Sequence, residues 1–86
     1  MKFIMSQEDI DKANKAYDDD FLPVTHICPI SQCVSRTLGI SAVRTTLRFV
    51  ELGDCGYPLT EEMVNFVNYW DKTSRYVKPI EFELDI

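Results

Sequence analysis

The stretch Cys28-Pro29-Ile30-Ser31-Gln32-Cys33-Val34-Ser35-Arg36-Thr37-Leu38-Gly39 decides how the rest of the chain is read, because it carries both ends of a helix and its buried stripe. Pro29 suits the first helical position, where an N–H would have no intrahelical partner, and Gly39 suits the left-handed residue that closes a helix. Between them Ile30, Cys33, Val34 and Leu38 fall at i, i+3, i+4 and i+8, with Ser31, Gln32, Ser35 and Arg36 on the other side. The stretch predicts a short core helix over 29–38 on which the flanking segments pack.

Upstream, Lys2-Phe3-Ile4-Met5 is a short strand, and Ser6 followed by Asp9 is a helix start with its acid in the first turn. From Gln7 to about Tyr17, Ile10, Ala13 and Tyr17 recur at helical spacing on a charged segment, which predicts a surface helix with a thin buried stripe. Asp18-Asp19-Asp20 interrupts that pattern, and Phe21-Leu22-Pro23 reads as a turn or extended link, since Leu22 before proline is pushed out of the helical region. The acid triplet is either a solvated loop or a patch for a basic partner or a cation. Val24-Thr25-His26-Ile27 leads into the central helix.

Downstream, Val43, Thr45, Leu47 and Phe49 alternate with Arg44, Thr46 and Arg48, as a half-buried strand requires, and the alternation shifts at Val50 and Leu52. A bulge, or a strand end covered on both faces, would produce that shift. Gly53-Asp54-Cys55-Gly56 is a turn by composition, and Tyr57-Pro58-Leu59 a short edge strand that tolerates proline. Thr60 is a good N-cap, with Glu61 and Glu62 where the helix dipole favours acids. Met63, Phe66, Val67 and Trp70 then mark the buried face of a third helix. After a polar connection over 71–78, Ile80, Phe82, Leu84 and Ile86 alternate with Glu81, Glu83 and Asp85 in the clearest strand of the chain. Its acidic face is expected beside Arg44 and Arg48 of a neighbouring strand.

These elements predict one small α+β domain over 1–86, with a mainly antiparallel sheet of three to four strands covered by about three helices. The strands come from 2–5, 42–52 and 79–86 with a short piece near 57–59. Ile30, Val34, Leu38, Phe66, Val67 and Trp70 are expected to pack on Leu47, Phe49, Phe82 and Leu84. At 86 residues the chain sits near the lower end of what buries a self-sufficient core, while a 45% apolar share separates it from disordered sequences. A net charge of -5 argues against direct nucleic-acid binding, which needs Lys and Arg for the phosphates, and favours basic partners. No apolar run approaches a membrane span, and Met1-Lys2-Phe3-Ile4-Met5 turns polar at Ser6, too soon for a secretory signal. A cytoplasmic protein with three reduced cysteines is the expectation.

His26, Cys28, Cys33 and Cys55 are ligand-capable and define a possible zinc module, yet no Cys-x-x-Cys pair is present and Cys33 belongs to the buried stripe. Cys28 stands at the mouth of a helix, where exposed N–H groups favour a thiolate, with His26 two residues away; a thiol-dependent enzyme or redox protein is the corresponding alternative. The opposing reading is a capping position with its sulfur packed inward. There is no phosphate-binding loop, no paired-carboxylate motif with a plausible cleft and a single histidine, so neither a catalytic residue nor a cofactor is assigned.

A short strand running into Gln-Glu-Asp-Ile-Asp-Lys, then Cys-Pro-Ile opening a helix, Tyr-Pro-Leu before a helix ending in Trp-Asp, and Val-Lys-Pro-Ile-Glu-Phe-Glu-Leu at the end resembles a group of small phage and prophage proteins of unassigned role. The resemblance implies a viral or mobile-element origin and carries over no catalytic residue. Together with the acidic surface it points to a non-enzymatic protein that binds a host or defence protein with a basic surface, as an anti-CRISPR-like inhibitor. Asp18, Asp19, Asp20, Phe21, Glu61 and Glu62 are the expected partner-binding residues. A DNA mimic is the stricter alternative, for which the charge is sparse.

Overall fold

The central helix forms with the boundaries its punctuation predicts. In the computed structural model, which describes residues 1–19, 27–72 and 77–86, it spans Pro29–Leu38 (α2 below), with Cys28 at the N-cap and Gly39 in the left-handed conformation at φ 69°. The Gly39 N–H bonds the Ser35 carbonyl at 2.9 Å, which closes the last turn. Around it the chain runs β1 (Lys2–Ile4), α1 (Gln7–Asp19), α2, β2 (Val43–Thr45), β3 (Phe49–Leu52), β4 (Cys55–Pro58), α3 (Glu61–Lys72) and β5 (Glu81–Glu83). The fold is α+β, a small domain of three helices and two antiparallel sheets.

The strands do not join into one sheet. β1 pairs with β5, and β2, β3 and β4 form a separate meander. The stretch 42–52, expected as one strand whose shift at Val50 comes from a bulge or an end covered on both faces, is a hairpin, and Thr46 makes its turn. Its hydroxyl accepts the backbone N–H groups of Arg48 (3.1 Å) and Phe49 (2.9 Å), and its own N–H bonds the Phe49 carbonyl at 2.9 Å. A threonine that satisfies local backbone groups in this way turns the chain. Thr45 then lies opposite Val50, and Val43 opposite Leu52, so the inward face is Val43, Thr45, Val50 and Leu52. Leu47 and Phe49, expected in the core, are exposed. Gly53 at φ 60° makes the next turn, between the paired residues Leu52 and Cys55.

A second correction concerns charge. The acidic face of β5 meets Lys2 of β1, at 2.9 Å from Glu81, and not Arg44 or Arg48. Arg44 lies in the other sheet, 3.5 Å from Glu51 on the adjacent strand.

α2 packs against α1, β1 and β2, and so ties the two sheets together. Ile30, Cys33 and Val34 are fully buried and Leu38 partly so, as the spacing predicts. Ser31 is the exception to the expected polar side. It is buried, and its hydroxyl lies 2.7 Å from that of Thr45, so the two satisfy each other between helix and strand. α3 buries Met63, Phe66, Val67 and Trp70. Trp70 donates its indole N–H to Asn14 at 2.8 Å and meets Tyr17 edge-on at 5.6 Å, which fixes α3 against α1. Across β1 and β5 the rings of Phe3 and Phe82 stack at 5.3 Å. Among the described residues no helix is long and apolar enough to cross a membrane.

Candidate protein-binding surface

Thr60 caps α3, its hydroxyl accepting the Met63 N–H at 3.3 Å, and this sets Glu61 and Glu62 on the exposed first turn. Beyond the helix the chain returns along it. Two hollows lie between α3 and the returning segment. The first, of about 470 Å³, is lined by Lys2, Thr60, Glu61, Glu62, Glu81, Phe82 and Glu83. The second, of about 410 Å³, is lined by Glu62, Asn65, Phe66, Tyr69, Val77, Lys78 and Ile80. Glu62 lines both, so the two hollows adjoin along α3, the one at the start of the helix acidic and the other apolar; together they are termed the groove. Residues 62, 65, 66 and 69 stand at helical spacing and make one continuous wall. The acidic end carries four carboxylates against the single ammonium of Lys2, which Glu81 already engages.

The expected partner-binding set is only partly brought here. Glu61 and Glu62 line the groove. Asp18 and Asp19 do not interrupt a helix; they are the last turn of α1, and Asp18 is exposed there. Acids at a helix C-terminus oppose the dipole, so their placement lacks a helix-end rationale. Asp20 and Phe21 lie outside the described residues. Glu81, Glu83, Phe66, Tyr69 and Ile80 were not assigned to a site from sequence. Alternating acids on a strand read as a solvent face, and only the return of the chain along α3 sets them beside Glu61 and Glu62.

Two of the three cysteines, Cys28 and Cys33, are disposed for packing. Cys28 is 1% exposed. Burial pushes its thiol up, and the N–H groups of Ser31 and Ile30 and the hydroxyls of Thr45 and Ser31 offset only part of that. This is the direction opposite to what a nucleophile needs. Burial, followed by the charge of Asp9, pushes Cys33 up to about 11. Cys55 is exposed on β4. His26 lies outside the described residues, and among those described no group of three or more His, Cys, Asp or Glu side chains is gathered for a metal ion.

The one buried charge among the described residues is structural. Asp9, 1% exposed, closes a capping box by accepting the Ser6 N–H at 3.0 Å while its own N–H reaches the Ser6 hydroxyl at 3.4 Å. Arg36 of α2 binds the same carboxylate through Nε (3.0 Å) and Nη2 (2.9 Å), and Nη2 also donates to the Ile4 carbonyl at 3.1 Å. Burial raises the Asp9 carboxyl, but the Arg36 hydrogen bonds, the Ser6 backbone and the Arg36 charge together outweigh it and hold the group below its ordinary value. Asp9 and Arg36 thus fasten α1, α2 and β1 at one point.

No protein-family model, no curated protein and no solved structure matches the chain.

Proposed function

We propose that this protein acts by binding another protein that presents a basic surface, and that the partner belongs to a host cell or its defence system, so that binding inhibits it. The observation that supports the first half is the gathering of Glu61, Glu62, Glu81 and Glu83, from segments some twenty residues apart, around a groove whose other end is apolar. Exposed carboxylates of one sign steer a basic partner into encounter, and an adjoining apolar wall supplies burial once contact is made. The second half rests on the resemblance to small phage and prophage proteins. Cys28 and Cys33 take no part in this reading, since both are buried with their thiols raised.

The test compares the tagged protein with a Glu61→Lys, Glu62→Lys, Glu83→Lys variant in affinity capture from a bacterial host, together with phage plating on cells expressing either form. The proposal expects one stoichiometric partner, retained by the parent, lost by the variant and released as salt rises. A partner bound equally by both forms removes the acidic groove from the function. Plating unchanged by the parent across several hosts and defence systems removes the inhibitor role.

A further inference from the structure

The backbone of β5 offers more than charge. Met1 and Leu84 exchange N–H···O bonds, at 2.7 and 3.1 Å, and the Met5 N–H bonds the Ile80 carbonyl at 3.1 Å. Alternation in an antiparallel ladder therefore turns the N–H and C=O groups of residues 80, 82 and 84 toward β1, and those of Glu81 and Glu83 away from it. Among the described residues the backbone groups of Glu81 and Glu83 have no partner. The side chains of Glu81 and Glu83 line the acidic hollow beside the start of α3, which also takes in Lys2 of β1. Side chains along the strand also alternate: Glu81 and Glu83 stand on the exposed face, while Phe82 points into the core and Ile80 lines the apolar hollow.

Resting on the protein-binding reading above, we propose that the partner docks by adding an extended segment to the outer edge of β5, in the groove along α3, and that this segment alternates basic with apolar residues. The alternation follows from the pleat. Residues of an added strand that share a face with Glu81 and Glu83 meet carboxylates, and those on the other face meet the wall of Phe66, Tyr69 and Ile80. Lys2 occupies the same relation to Glu81 from the β1 side, and its 2.9 Å contact shows that an ammonium on an adjacent strand reaches that carboxylate. Glu83, opposite Lys2 in the ladder, feels that ammonium's charge but makes no close ion pair among the described residues, so its carboxylate can take a cation from the incoming chain. The open edge is also the feature that an isolated domain must otherwise protect. Acids along it keep copies of this chain from pairing edge to edge by like-charge repulsion, and the same charges admit a basic strand.

The probe is a synthetic peptide of four Lys-Val repeats with blocked ends, titrated into isotopically labelled protein and followed by amide shifts and hydrogen exchange. Two further peptides carry backbone N-methyl groups, on the lysines in one and on the valines in the other; charge and side chains are unchanged. The proposal expects shifts at residues 62–69 and 80–84, slowed exchange at Glu81 and Glu83, and at least about tenfold weaker binding for one methylated peptide and not the other, since only one set of N–H groups faces β5. Which one fails reports whether the added strand is parallel or antiparallel. A Glu81→Lys, Glu83→Lys variant is expected to lose the peptide while keeping its far-ultraviolet circular dichroism. Equal binding of all three peptides overturns strand addition and leaves a purely electrostatic docking. No peptide binding, with partner capture still dependent on Glu61 and Glu62, overturns the edge proposal and spares the protein-binding reading. Capture insensitive to all four glutamates overturns both.

Discussion

Replacing Arg36 with alanine tests the fastening of α1 to the central helix. The substitution removes two charge-assisted hydrogen bonds from a carboxylate that is 1% exposed, and leaves it only the Ser6 donors. An exposed ion pair contributes at most about 1 kcal/mol, and breaking a fully buried one costs about 3–5 kcal/mol. Here the carboxylate is buried but the guanidinium side chain is 45% exposed, so water reaches one side and the expected loss is about 2–3 kcal/mol. For a domain of this length that lowers the melting temperature by about 10–20 °C. Urea unfolding followed by the fluorescence of Trp70 and by circular dichroism measures it. The sign with pH follows from Asp9. Its carboxyl is held below the ordinary value, so the stability it contributes is present above the unfolded-state value of about 3.9 and is lost as pH falls through the lower folded-state value. The difference between parent and variant should therefore be full at pH 7 and shrink as pH drops below 4. A double-mutant cycle with Asp9→Asn should return a coupling of about 2 kcal/mol. A loss under about 0.5 kcal/mol, or one that is constant from pH 7 to pH 3, would refute the assignment of a buried, ionised Asp9 held by Arg36.

Other outcomes follow from particular contacts. Trp70→Ala removes a buried indole, its bond to Asn14 and its edge contact with Tyr17, and should cost about 3–5 kcal/mol by chemical denaturation. Gly39→Ala meets no atom within 4 Å, so its expected cost of about 1–2 kcal/mol is purely that of a Cβ at φ 69°, and a fit of the variant's circular dichroism to an intact helix content checks that nothing else changed. Thiol labelling of the native protein near neutral pH should modify Cys55 alone, with Cys28 and Cys33 reacting only after denaturant is added; mass spectrometry of the digested product reads this directly.

How far the sequence reaches depends on how local each determinant is. Pro29 and Gly39 terminate a helix through their own φ angles, and Thr60 caps one through its own hydroxyl, so these boundaries are legible from a few residues. The stripe of Met63, Phe66, Val67 and Trp70 is equally local, as is the alternation of β5. The hairpin at Thr46 is not legible in the sequence because its alternating neighbours fit a longer strand, and two backbone bonds to one hydroxyl override that pattern. The same alternation puts Leu47 and Phe49 on the buried face, whereas the turn exposes both. Asp9 was legible as a helix-start acid but not as the partner of Arg36, which lies 27 residues on and looked like a solvent-facing charge. The groove is least legible of all, because it belongs to no segment. It arises where the start of α3 and the strand β5 come together, and each half taken alone reads as solvated surface.

The ladder between β1 and β5 pairs Lys2 with Glu83, at almost the greatest separation this chain permits. Contacts of such long range are made last, because the entropy of closing a long loop must be met before any of their energy is returned. The hairpins of β2, β3 and β4 and the turn-by-turn growth of α2 face no such delay. Folding should accordingly run from the middle of the chain outward, with the edge of β5 completed in the final step. On the proposed binding reading, competence then arrives with closure and not before it, so a partner that recognises this edge would discriminate the native chain from every partly folded form. Substitutions that slow the docking of β1 on β5, such as trimming Phe3 or Phe82 from their stacked pair, would delay the onset of binding without altering the groove that finally forms.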